Sequence, residues 1–120
     1  MRRRALFGVL LLGLAACDNP LGASDARCDL RPKEPQCTDW RGTNPSERPT
    51  MQATCSTLTA AKGAGSFQDD GPCDTKGSLG GCQSTFGSGT KQTNGYFPSD
   101  KYKTADDAKK ECSSQTFVLP

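Results

Sequence analysis

The 120-residue chain contains no histidine and a single tryptophan. Histidine is the commonest general base and the usual partner of a serine or cysteine nucleophile, so its absence removes most triad-type hydrolases. Isoleucine is missing as well, and beyond the first sixteen residues leucine and valine are sparse, so a large aliphatic core is excluded. No Cys-x-x-Cys pair occurs. Zinc, iron–sulfur and dithiol redox centres therefore lack their usual ligand spacing, and neither a metal nor a cofactor is expected. No phosphate-loop or dinucleotide pattern is present, and the glycines from Gly77 to Gly81 read as turn geometry. Fifteen basic residues against thirteen acidic ones form no basic stripe, which argues against a nucleic-acid partner.

What is present begins at the amino end. Arg2, Arg3 and Arg4 precede an unbroken apolar and small-residue run from Ala5 to Ala16, the layout of a signal peptide. As a helix the run would reach roughly 18 Å at about 1.5 Å per residue, short of the bilayer core of about 30 Å. It does not read as a permanent membrane span. The run closes on Leu14-Ala15-Ala16-Cys17, which resembles a bacterial lipobox. That resemblance implies lipidation of Cys17, with fatty acyl chains such as palmitate, and cleavage before it. Residues 1–16 would be the signal peptide, 17–27 a lipidated flexible tether and 28–120 the folded domain. Loss of Arg2 to Arg4 leaves twelve basic residues against thirteen acidic ones, so the mature chain is close to neutral. Asp18 resembles an inner-membrane retention signal of enteric bacteria, and inner and outer membranes both stay open.

With Cys17 assigned to lipid, Cys28, Cys37, Cys55, Cys73, Cys82 and Cys112 make an even six in an exported chain. Three disulfides follow, as small domains with lean cores outside the cytosol are usually stapled covalently. Along the chain, Gln36 to Arg41 reads as a strand and Gly42 to Pro49 as a loop. Thr50 to Lys62 reads as a helix, with Met51, Cys55 and Leu58 at helical spacing and Gly63 as its stop. Gly65 to Gln68 is a brief strand, and Asp69-Asp70-Gly71-Pro72 a turn. Gly80 to Phe86 and Thr93 to Tyr102 read as strands of a hairpin. Thr104 caps a second helix with Asp106 and Asp107 in its first turn and Lys109 and Lys110 near its end. Thr116 to Leu119 is a last strand.

The two halves share a pattern of cysteine, aromatic, helix cysteine and then Ser-Phe or Thr-Phe, as in Cys37, Trp40, Cys55 and Ser66-Phe67 against Cys82, Phe86, Cys112 and Thr116-Phe117. A duplication read this way predicts the bridges Cys37 with Cys55, Cys82 with Cys112 and Cys28 with Cys73, one of fifteen possible pairings of six cysteines. The expected fold is small, disulfide-rich and α+β, with short antiparallel strands and two short helices.

From Cys28 onward the chain resembles cysteine-rich bacterial lipoproteins of the myxobacterial type. The shared features are Gly80-Gly81-Cys82, Tyr96-Phe97 after a glycine, and a terminal helix cysteine followed by Thr-Phe and a closing proline. The resemblance implies the lipoprotein class and carries no catalytic assignment.

The adjacent carboxylates Asp69-Asp70 and Asp106-Asp107 read as a turn and a helix start, because neighbours on a helix diverge by about 100 degrees. Asp69, Asp70 and Asp74 lack the order and closing glutamate of a calcium loop. Trp40, Phe86, Tyr96, Phe97 and Tyr102 read as core rather than as a recognition patch. The expectation is a non-enzymatic envelope lipoprotein, held in the membrane by Cys17 and presenting a rigid domain for binding or structural duty, its partner a protein or a glycan. The alternatives are a disulfide-braced inhibitor of a protease or lysozyme, with its loop near Gly71 to Gly81, and a carboxylate-dependent enzyme.

Overall fold

Alternating burial defines the first strand, β1 (Ser24–Asp29), in which Ala26 and Cys28 are buried while Arg27 and Asp29 are partly covered. A computed structural model describes residues 24–86 and 88–120, so Cys17, residues 1–16 and most of the expected tether lie outside the described residues. Ser24 to Arg27, expected to end that tether, belong to β1, and the folded part extends to at least Ser24. β2 (Gln36–Thr43) pairs antiparallel with β1 and is buried on both faces at its centre. Helix α1 (Arg48–Lys62) carries Pro49 in its first turn, where a missing N–H costs nothing, and buries Met51 and Cys55. It ends at Gly63, whose φ of 66° suits the left-handed cap that glycine adopts without strain.

β3 (Ser66–Gln68) follows, then an irregular segment, residues 69–79, and the hairpin β4 (Gly80–Thr85) and β5 (Lys91–Tyr96). Helix α2 (Ala105–Lys109) starts from a reciprocal cap: the Asp107 N–H donates to Thr104 Oγ1 at 3.3 Å, and Thr104 N–H donates to Asp107 Oδ2 at 3.0 Å. β6 (Thr116–Val118) closes a six-stranded antiparallel sheet of order β3-β1-β2-β5-β4-β6.

That order is two strand–strand–helix–strand halves facing each other across β2 and β5. Cys28 opposes Thr38 and Phe67, and Cys82 opposes Asn94 and Phe117. Ala26 opposes Trp40 just as Gly80 opposes Tyr96. Thr38 and Asn94 are themselves cross-strand partners, joined by a 2.9 Å hydrogen bond at the centre of this approximate twofold. Each half has its own core. One gathers Ala26, Cys28, Trp40, Met51 and Cys55, with Phe67 against them; the other gathers Cys82, Tyr96, Tyr102 and Ala108, with Cys112 and Phe117.

The duplication is therefore present, but its register differs from the sequence reading: Cys28, not Cys37, is the counterpart of Cys82. The bridges are Cys28–Cys55, Cys37–Cys73 and Cys82–Cys112. The pairing of Cys82 with Cys112 stands, and those expected for Cys37 with Cys55 and Cys28 with Cys73 are corrected. The reason is strand parity. Successive side chains point to opposite faces, so Cys37, adjacent to Thr38, points away from the face that Cys28, Thr38, Asn94 and Cys82 share. Cys55 in α1 and Cys112, just past the end of α2, are both bonded to that shared face. Cys37 cannot reach α1 and closes instead on residues 69–79 across the other face.

Candidate functional site

The face without helices carries Asp39, Arg41, Thr93, Gln83, Gly81 and Gly95, and over them lies a cavity of about 260 Å³. Its floor is bare backbone. Gly81 and Gly95 are cross-strand partners, and a Cβ on Gly81 would come within 2.7 Å of Asn94 O and 2.8 Å of Thr93 Cγ2. Any side chain there would collide with the sheet, so the glycine leaves a flat peptide surface.

One wall is the Cys37–Cys73 disulfide, packed with Phe97 in a small cluster of its own. Phe97 is held in place from behind, because the Arg31 guanidinium stacks 4.0 Å from its ring centroid. Asp29 in turn grips that guanidinium with both oxygens, each at 2.9 Å. Burial pushes the Asp29 carboxyl up, and the side-chain and backbone hydrogen bonds from Arg31 outweigh it, leaving Asp29 below the usual carboxylate range. Val118 and Leu119 line another side, and Arg41 stands at the rim with 46 % of its side chain exposed.

Asp39 is the singular group. It lines the cavity yet is only 3 % exposed. Its Oδ2 accepts the Cys73 N–H at 3.1 Å and a single contact from Arg41 Nη2 at 3.3 Å. Its Oδ1 is buried with no hydrogen-bond partner among the described residues. A buried carboxylate oxygen without a donor is costly and is retained where it serves a purpose.

A second cavity, about 350 Å³, opens on the helical face beside Trp40, Met51 and Phe86. Phe86 is the exposed aromatic among the described residues, at 47 %. Glu47 at its edge is already engaged: it accepts Thr90 Oγ1 at 2.7 Å and the Asn44 N–H at 3.0 Å. Hydrogen bonds from Ser88, Thr90 and Asn44 hold Glu47 below the usual carboxylate range.

The sequence-derived candidates fall as follows. All six cysteines from Cys28 to Cys112 are in bridges, and Cys17 lies outside the described residues. Asp70 pairs with Arg27 at 2.7 Å and Asp69 with Arg48 at 3.4 Å, both at the surface. Asp74 accepts the Lys76 N–H at 3.0 Å in a turn, and Asp107 caps α2. Trp40, Tyr96, Phe97 and Tyr102 are buried and belong to the core, whereas Phe86, expected with them, is corrected: it lies past the end of β4 and is exposed. Asp39 and Arg41 were missed; the alternation Cys37, Asp39, Arg41 already puts them on one face, but nothing local marks Asp39 as buried.

Among the described residues no helix is long and apolar enough to cross a membrane. Comparison with protein-family models, with curated proteins and with solved structures returned no match.

Proposed function

We propose that the chain is a non-enzymatic envelope lipoprotein, anchored through acyl chains on Cys17, whose domain binds a ligand in the cavity beneath Cys37–Cys73. One observation carries the binding role. Two bridges are equivalent by the twofold and each fastens a helix to its half-core, whereas the third has no counterpart and walls the cavity. Anchoring is supported by Arg2 to Arg4, the apolar run and the Leu-Ala-Ala-Cys sequence. Three disulfides agree with an oxidising compartment outside the cytosol.

The test is the intact mass of the protein extracted from membranes of its own host, before and after reduction and alkylation. Loss of residues 1–16, added acyl mass and six thiols released only on reduction are the expected result. An uncleaved amino end with free thiols would overturn the proposal.

A second reading, inhibition of a protease or lysozyme, is favoured by the exposed run Asp74-Thr75-Lys76-Gly77 directly after the anchored Cys73. Titration of the oxidised domain against such enzymes, with Lys76→Ala as the control, separates it from the first. Inhibition abolished by that change would move the site from the cavity to the loop.

A further inference from the structure

We infer that the open-face cavity takes a small zwitterion of the α-amino-acid type, its ammonium on Asp39 and its carboxylate on Arg41. The inference deepens the binding reading of the same cavity. It starts from an imbalance: Asp39 is almost wholly buried, yet its Oδ1 has no donor among the described residues and its Oδ2 has a single cationic contact, from an arginine that is half exposed. A buried carboxylate is stable when a cation compensates it fully, and a donor-rich ammonium reaching Oδ2 from the cavity supplies the close cationic partner that the single 3.3 Å contact from Arg41 does not.

The anionic end has an equally defined place. Arg41 lies two residues along β2 from Asp39 on the same face, and its cross-strand partner is the exposed Lys91. Arg41 is thus the cation at the rim, and Lys91 lies next to it outside the cavity lining. In the present arrangement a single Arg41 nitrogen touches Asp39. Entry of an ammonium replaces that contact on Oδ2, and the guanidinium turns outward with its planar fork open to a carboxylate, the geometry arginine recognises best. A lone amine would leave Arg41 without its anion, and a lone acid would be repelled by Asp39.

Beyond Asp39, on the side away from Arg41, lie the glycine floor and the apolar wall of Phe97 and the Cys37–Cys73 disulfide. These accommodate a short aliphatic body without asking for a hydrogen bond. The volume of about 260 Å³ suits one amino acid and excludes a folded chain.

The test uses the oxidised chain and a set of defined probes: L-alanine, L-leucine, the matched amines ethylamine and isopentylamine, the matched acid propionate, and glucose. Backbone amide shifts report the site through Gly81, Thr93 and Gly95. The expected result is saturable shifts with L-alanine or L-leucine, weaker by about tenfold or more in Asp39→Asn and in Arg41→Gln, as for loss of a hydrogen bond to a charged group. Amines and propionate should be weaker by a comparable factor. Amines binding as tightly as amino acids, glucose shifting these amides instead, or no probe shifting them at millimolar concentration would each overturn the inference. Arg41→Gln changes an exposed side chain, so the test stands even if Asp39→Asn fails to fold. None of these outcomes bears on the mass measurement that tests the anchored lipoprotein.

Discussion

Trp40 shows how much one side chain does in a domain with few large aliphatics. It is 2 % exposed, packs with Met51, Cys28 and Cys55, and donates its Nε1–H to Gln92 Oε1 at 2.8 Å. Trp40→Ala should cost about 3–5 kcal/mol, read from the chemical-denaturation midpoint. A loss below about 1 kcal/mol would mean that Cys28–Cys55 alone holds that half. Asp39 presents the opposite case. Its buried charge is poorly compensated, so Asp39→Asn should leave the melting temperature unchanged or raise it while weakening ligand binding. A drop of more than about 5 °C, roughly 1 kcal/mol for a domain of this size, would show the carboxylate to be structural. Asp39 was legible in the sequence as a residue type on a strand but not as a site, since its buried partner is the N–H of Cys73, 34 positions away.

At the scale of elements, α2 is the informative case. A helix of five residues lies far below the length that is stable alone. It is held by its reciprocal Thr104–Asp107 cap, by buried Ala108 and by Cys82–Cys112. Replacing both Cys82 and Cys112 with Ser should accelerate amide exchange across residues 104–112 while β2 and β5, at the sheet centre, stay protected. Uniform acceleration throughout the sheet would show that the bridge serves the whole fold instead. The element carboxylates also set an acid limit. Asp29, Glu47 and Asp107 are all held below their ordinary values, the last by the backbone N–H groups of Lys103 and Thr104. A depressed carboxylate contributes stability that is present above its unfolded value, near about 4, and is lost as pH falls through the folded value. The melting temperature should therefore be flat near neutrality and fall below about pH 4, and Asp107→Asn should flatten the fall. A fall that begins near pH 6 would point to a different group.

For the whole molecule, the approximate twofold separates what stabilises from what builds the cavity. Removing Cys28–Cys55 should cost about 2–4 kcal/mol and disturb one half-core. Removing Cys37–Cys73, which spans 36 residues, should cost a similar amount by loop closure but leave both half-cores and the far-ultraviolet spectrum intact. Amide shifts confined to residues 69–79 and the Gly81–Gly95 floor would bear this out, and melting of either helix would count against it. Local residue choice was enough to announce most elements: Gly63 ends α1, Thr104 begins α2, and Gly80 to Thr85 pairs with its neighbour across a hairpin. The even set of six cysteines likewise announced a stapled domain. The sequence did not reveal β1, because Pro, Gly and Asp upstream made Ser24 to Arg27 resemble a tether, and with β1 unseen the duplication was aligned on the wrong cysteine. Propensity, capping and spacing act within a few residues and can be read along the chain. Which face each cysteine occupies, and so which partner it meets, depends on strand register across 27 to 36 residues, and only the assembled sheet decides that.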